Sequence, residues 1–129
     1  GLLDENNALC ESALDLYQKK KKKDKKEWNM IATSLFHGRA GMLLTTYRMA
    51  SLARHSTLER HVDALRRDLV RYRDISHPFL FQAVEMFPDG RSEWQDDPGL
   101  LFGAAGIFLT LDTVEGTITQ PWDRILLTI

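Results

Sequence analysis

Residues 34–44, SLFHGRAGMLL, place one histidine between a phenylalanine and a glycine, directly before a long apolar run. The imidazole of His37 could bind a metal ion, exchange a proton near neutral pH, or only hydrogen-bond the backbone of a turn. Cys10 is the only cysteine, so the chain can form neither an internal disulfide nor a cysteine cluster that holds a metal by itself. His37 is therefore the candidate reactive residue of this stretch.

The other polar residues that could do chemistry are interpreted as structural or solvated. None of the remaining histidines is spaced to share a helix face with His37, and we place them at the surface: His55, His61 and His77. Three aspartates are predicted to cap helices or to lie in solvent: Asp96, Asp97 and Asp112. The first two precede a buried helix, and the alternative is that they face a cavity. The lysine run at 19–27 is predicted to be a solvated helix end rather than a patch for an anionic partner.

The bulk composition indicates one globular domain. The chain has 129 residues, 43% hydrophobic and 27% charged, with a formal net charge of −1. This balance gives no reason to expect nucleic acid or a membrane surface as partner. No apolar run approaches the roughly 20 residues of a membrane span, and acidic residues interrupt any signal-peptide pattern near the N-terminus. The expected location is the cytoplasm.

The elements that must position His37 are predicted to be mainly helices, because the apolar residues recur at helical spacing. This spacing predicts helices over 7–18, 40–53 and 57–73, the second apolar on nearly all sides and the third amphipathic. Ser56 and Glu59 match a capping box at the start of the third helix. Prolines and a Pro-Asp-Gly turn interrupt 75–99, where 79–87 could be a short helix or an extended segment. A second buried run follows at 100–111.

The two buried runs form an internal repeat at an offset of 65 residues. Residues 35–46 and 100–111 are identical at six of twelve positions and share the frame Gly-x-Ala-Gly before an apolar helix. We expect these glycines to permit a sharp turn with positive φ, and the helix N-termini behind them to present free N–H groups. The fold class predicted is therefore all-α, built of αα-hairpin repeats, with repeat one at 7–54, repeat two at 57–114 and a C-terminal tail at 115–129. Such repeats usually need at least three copies for stability.

HGRAG, DDPGLLFGAAG and the final PWDRILL together resemble the C-terminal part of lanthionine synthetase C-like proteins, the lanthipeptide cyclases. The resemblance implies the last two or so repeats of an (α/α) toroid of about seven helix pairs. The chain begins at Gly1 and its first methionine is Met30. The absence of an initial methionine and the presence of only two of about seven repeats together predict a fragment or a split polypeptide. Its toroid would be completed by N-terminal repeats or by another chain.

The resemblance also implies a chemistry. The family's cyclases add a cysteine thiol of a precursor peptide to a dehydrated serine or threonine, using a zinc ion held by two cysteines and one histidine. His37 matches the histidine ligand and Gly38 the following glycine, but Phe36 stands where a cysteine ligand is expected. Phenylalanine offers no lone pair to a metal. Cys10 cannot replace the missing cysteine, because it lies in the predicted helix 7–18, on the wrong side of the helix pair. We therefore expect zinc to bind poorly. No other cofactor is indicated.

Three interpretations of His37 follow: a turn histidine bonded to backbone, an acid or base in a zinc-independent cyclase, or a remaining zinc ligand. Gly38, Arg39 and Gly103, at the mouths of the two buried helices, are the predicted substrate-binding residues. The predicted partners are a precursor peptide and, in addition, a dehydratase. The alternative function is a non-catalytic module that binds a precursor peptide or a partner enzyme. A different αα-toroid enzyme would need paired carboxylates at these mouths, and neither turn supplies them.

Overall fold

The computed structural model describes residues 8, 12, 32–36 and 38–127. The helix predicted over 7–18, apart from its positions 8 and 12, and the lysine run at 19–27 lie outside this part of the chain. Four helices and two strands occur within it, in the order α1 (Arg39–Ala53), α2 (Ser56–Val70), β1 (Ala83–Met86), β2 (Ser92–Gln95), α3 (Ala104–Val114) and α4 (Arg124–Leu127).

The predicted all-α fold of hairpin repeats is wrong. Between α2 and α3 the chain forms a two-stranded antiparallel sheet, with Ala83 opposite Gln95 and Met86 opposite Ser92. The segment 79–87, which could have been a short helix or extended, contains strand β1, and the turn at 87–91 favours this outcome. Gly90 has φ +87°, and Phe87 and Arg91 close the turn through a 2.8 Å hydrogen bond from the Phe87 N–H to the Arg91 carbonyl. Pro88 and Gly90 both oppose a helix, whereas a hairpin accommodates them.

The three longer helices surround one hydrophobic core. α1 packs against both α2 and α3, and the side chains that are almost fully buried come from each of these helices and from the segment before β1: Leu43, Leu58, Leu69, Phe81 and Ile107. The Phe81 ring lies edge-to-face with the ring of Phe108, 5.6 Å between centroids. The core is thus built around α1, as expected of a helix that is apolar on most sides.

α1 and α2 are joined by only two residues, Arg54 and His55. Arg54 adopts the left-handed conformation (φ 48°), and its N–H bonds the carbonyl of Ala50 at 2.8 Å, which ends α1. The capping box predicted at Ser56 is wrong, because His55 is the N-cap: its backbone is extended, and its Nδ1 accepts a 3.3 Å hydrogen bond from the Thr57 N–H. Ser56 is already helical and cannot take that position.

The C-terminal segment is fastened to two of the core helices. Both carboxylate oxygens of Asp123 accept hydrogen bonds from the Arg48 guanidinium on α1, at 3.0 and 2.8 Å. The indole N–H of Trp122 donates to the hydroxyl of Thr113 on α3 at 2.8 Å. Bidentate pairs of this kind combine charge with fixed geometry, and the Arg48 hydrogen bonds lower the pKa of Asp123.

We expect Phe81→Ala to destabilise the protein by about 3–5 kcal/mol, since it leaves a cavity at the centre of the core. Urea denaturation monitored by circular dichroism measures the change. Ile75→Ala is the control, because Ile75 is 84% exposed a few residues away and should change stability by no more than about 0.5 kcal/mol. Equal effects of the two substitutions would contradict the position assigned to Phe81.

Asp123→Asn should destabilise the protein at neutral pH and lose this effect in acid. The folded-state pKa of Asp123 lies below its ordinary value, so its charge stabilises the fold above the unfolded-state pKa. This stabilisation is lost as the pH falls through the lower, folded-state pKa. Unfolding midpoints of the two proteins, measured from about pH 6 to about pH 3, should therefore converge. Asp63→Asn, at an exposed position on α2, is the control; a constant difference for Asp123→Asn would rule out a role for the charge.

Candidate functional site

The two Gly-x-Ala-Gly turns have the same backbone geometry. Gly38 is the N-cap of α1 with φ −128° and ψ −173°, and Gly103 is the N-cap of α3 with φ −123° and ψ −163°. Both conformations are extended and open to any residue, so the expectation of a positive φ is wrong. The glycines must be required for another reason.

That reason is close approach of the backbone. A Cβ atom at Gly38 would overlap the carbonyl oxygen of Ser34, and one at Gly41 would overlap that of Leu35. The second turn repeats the arrangement: a Cβ at Gly103 would overlap the carbonyl oxygen of Asp97, and one at Gly106 would overlap that of Leu100. Gly41 and Gly106, like Leu35 and Leu100, are separated by the repeat offset of 65 residues. In both copies the preceding loop therefore folds back onto the first turn of the helix.

The loop before α1, residues 32–36, also accepts hydrogen bonds from the amides of the helix's first turn. The N–H groups of Arg39, Ala40 and Gly41 donate to three successive loop carbonyls, at 3.1, 3.1 and 3.3 Å: those of Ala32, Thr33 and Ser34. At α3, the Ala104 N–H donates to the Asp97 carbonyl at 2.8 Å. The expectation that these N-termini present free N–H groups is thus wrong for the first turn of α1, which cannot serve as an anion site.

The two turns lie side by side. The Phe36 N–H donates to the Leu101 carbonyl at 2.8 Å, and the rings of Phe36 and Phe102 meet edge-to-face at 5.5 Å. A Cβ at Gly106 would come within 2.9 Å of the Leu35 Cβ. Phe36 and Phe102 remain 47% and 55% exposed. The junction of the two turns therefore presents an aromatic pair to solvent, and we call it the paired-turn site.

The predicted site residues meet different surroundings. His37 lies outside the described residues, between Phe36 and Gly38 in sequence. Gly38 and Gly103 hold the turns as described above. Arg39 is directed toward α2: its Nε donates to Asp68 Oδ2 at 2.9 Å, and its guanidinium lies 4.5 Å from the centre of the Tyr72 ring. With 15% of its side chain exposed, Arg39 fastens the first turn of α1 to α2.

The described part of the paired-turn site does not fit a zinc ion. Phe36 occupies the position where the family resemblance requires a thiolate, and its ring packs against Phe102 instead. Within 32–36 and 38–127, no three His, Cys, Asp or Glu side chains lie together in a way that could hold a metal. Zinc coordination needs three or four such ligands, so a zinc ion here would require ligands from outside these residues.

The remaining candidates fall into two groups. His55 is exposed at the start of α2, and Asp97 caps the turn before α3 by accepting the Gly99 N–H at 2.7 Å. His77, predicted to be a surface residue, is half-buried between two carboxylates: Nε2 is 3.5 Å from Asp74 Oδ2 and Nδ1 is 3.7 Å from Asp96 Oδ1. Sequence reasoning missed this second cluster, since its members come from separate segments with no shared periodicity.

No protein-family model matches the chain, and no curated protein matches it. None of the helices in the described part of the chain is both long and apolar enough to span a bilayer.

We expect Gly41→Ala and Gly106→Ala each to destabilise the protein by roughly 1–3 kcal/mol, because a methyl group would force the loop away from the helix. In an unconstrained helix the same change stabilises by about 0.5–1 kcal/mol, so the sign of the effect is diagnostic. Thermal unfolding of each variant measures it. Thr45→Ala is the control: Thr45 is exposed on α1, the helix that contains Gly41, and its substitution should leave stability unchanged or slightly increased. Stabilisation by either glycine substitution would contradict the close approach described here.

Proposed function

We propose that this protein takes part in forming thioether rings in a ribosomally made peptide, as a zinc-independent cyclase of the lanthionine synthetase C-like type. One observation carries the proposal. The two Gly-x-Ala-Gly turns adopt the same geometry and meet at one point, and His37 is the residue between Phe36 and the N-cap glycine of α1. General acid–base catalysis needs a group that exchanges a proton near neutral pH, and an imidazole is such a group.

The proposed reaction is addition of a cysteine thiol across the carbon–carbon double bond of a dehydroalanine or dehydrobutyrine. A bond forms between sulfur and the β-carbon, the π bond breaks, and the resulting enolate takes up a proton at the α-carbon. The reaction involves no net oxidation or reduction. His37 removes the thiol proton or delivers the proton to the α-carbon, and an imidazole suits either role near neutral pH.

The exposed aromatic pair supplies the contact with substrate in this proposal. Phe36, which precedes His37 in the sequence, and Phe102 are each about half exposed. Apolar side chains of the peptide gain free energy by covering them. The ring of Phe36 thus takes over the place of a metal ligand and contributes binding instead of coordination.

A second function is favoured by the same residue. Since Phe36 removes one ligand and the described residues supply no replacement, the protein could retain peptide affinity without catalysis, as a module that binds a precursor peptide or its modifying enzyme. In either case we propose that it works in the cytoplasm with a dehydratase, the class of enzyme that must supply the dehydrated residues.

We expect the protein to consume the thiol of a synthetic peptide that carries one dehydroalanine and one cysteine a few residues apart. Thiol loss is followed by alkylation and mass spectrometry, with peptide affinity measured in parallel. His37→Ala should slow ring formation about 100-fold or more, as removal of a general acid or base does. His55→Ala, an exposed N-cap substitution, is the control.

Three results would change this interpretation. Retained affinity without thiol loss would support the binding module and contradict the cyclase. A full rate in His37→Ala would remove His37 from the mechanism. Stoichiometric zinc in the purified protein would show that ligands outside the described residues replace the missing cysteine.

A further inference from the structure

A small pocket lies away from the paired-turn site, between the end of α2 and strand β2. It has a volume of about 170 Å³ and is lined by Tyr72, Asp74, His77, Gln82 and Trp94. We call it the Trp94 pocket. The rings of Tyr72 and Trp94 stack with 6.0 Å between centroids and 28° between planes. Trp94 remains 42% exposed, so part of its ring surface is available to a ligand.

One carboxylate, Asp74, lines this pocket, and a second, Asp96, contacts two of its lining residues. Asp74 and Asp96 lie on either side of His77, at 3.5 and 3.7 Å, and the Gln82 side-chain amide reaches Asp96 Oδ1 at 3.5 Å. Asp74 also accepts hydrogen bonds from the Ser76 hydroxyl and N–H, at 2.7 and 2.9 Å. These bonds lower the pKa of Asp74, which keeps it ionised at neutral pH. No arginine or lysine within the described part of the chain pairs with either carboxylate.

The chain itself shows what a carboxylate beside an aromatic ring binds. Three of its arginines each pair with a carboxylate and lie over a ring: Arg39 with Asp68 and Tyr72, Arg48 with Asp123 and Tyr47, and Arg91 with Asp89 and Phe87. The distances from the guanidinium carbon to the ring centre are 4.5, 5.8 and 5.4 Å, respectively. A planar guanidinium stacks face-on against a ring and can bond a carboxylate through two parallel N–H groups, whereas a lysine ammonium is a point charge with neither a planar face nor this fork.

We propose that the Trp94 pocket binds the guanidinium group of an arginine side chain in a partner peptide. The guanidinium stacks on the exposed part of Trp94 and donates to Asp96 and Asp74. Arg39 does not fill this place, because its own charge is compensated by Asp68. The inference is independent of the proposed function, since it uses neither His37 nor the paired-turn site.

The test uses the whole protein and three capped peptides, acetyl-Gly-X-Gly-amide, in which X is arginine, lysine or citrulline. Capping leaves the side chain as the only charge, and citrulline keeps the shape of arginine without its charge. Titrations are followed by NMR, through the Trp94 indole N–H and the Gln82 side-chain amide. We expect the arginine peptide to shift both signals and to bind roughly tenfold more tightly than citrulline, the effect of one charge-assisted hydrogen bond.

Two substitutions locate the binding. Asp96→Asn and Trp94→Ala should each weaken arginine binding several-fold. In the Trp94→Ala variant, which lacks the indole signal, binding is followed through the Gln82 side-chain amide. Glu93→Gln removes the same charge from the position next to Trp94 and should leave binding unchanged, because Glu93 lies opposite Glu85 in the sheet, whereas Asp96 contacts the lining residues His77 and Gln82. The proposal is overturned if arginine shifts neither signal, if citrulline or lysine binds equally well, or if Glu93→Gln weakens binding as much as Asp96→Asn. The peptide comparison on the unmodified protein holds even if Trp94→Ala fails to fold.

Discussion

The structure depends on one steric constraint, the contact of a loop carbonyl with a helical glycine. The carbonyl oxygens of Leu35 and Leu100 occupy the space that a side chain at Gly41 or Gly106 would need. Because of this contact, the loop before α1 lies close enough to satisfy the first helical amides, and the two loops can touch through Phe36 and Leu101. The core follows from the same arrangement, since it sets α1 against α3.

This constraint also decides what kind of site the junction can be. A helix start usually offers amides and a positive dipole end to a ligand, but in α1 these amides already bond the loop carbonyls. The junction also carries side chains: the half-exposed aromatic pair of Phe36 and Phe102 and, from the sequence, His37 between Phe36 and Gly38. The first turn of α1 is therefore not a place where backbone amides would recognise an anion.

Periodic elements could be read from the sequence, whereas elements set by distant contacts could not. α1, α2 and the start of α3 follow from the apolar periodicity and the repeated glycines, within a few residues of their predicted bounds. The sequence leaves 79–87 open between a short helix and an extended segment, because four residues per strand are too few for a period to decide between helix and strand. The contact of Arg39 with Asp68 has no signal in the local sequence, because the two residues are 29 positions apart. The Trp94 pocket combines three separate segments for which no local pattern exists.

The bond between Arg48 and Asp123 joins residues that are 75 positions apart. A ribosome synthesises the chain from its N-terminus, so α1 leaves the exit tunnel long before Asp123 has been made. During that interval the Arg48 guanidinium lacks its carboxylate and α1 lacks α3, the helix on which Trp122 is anchored. The hydrogen bonds of Trp122 and Asp123 can therefore form only after residue 123 has been synthesised, so the packing of this part of the core is completed late in translation.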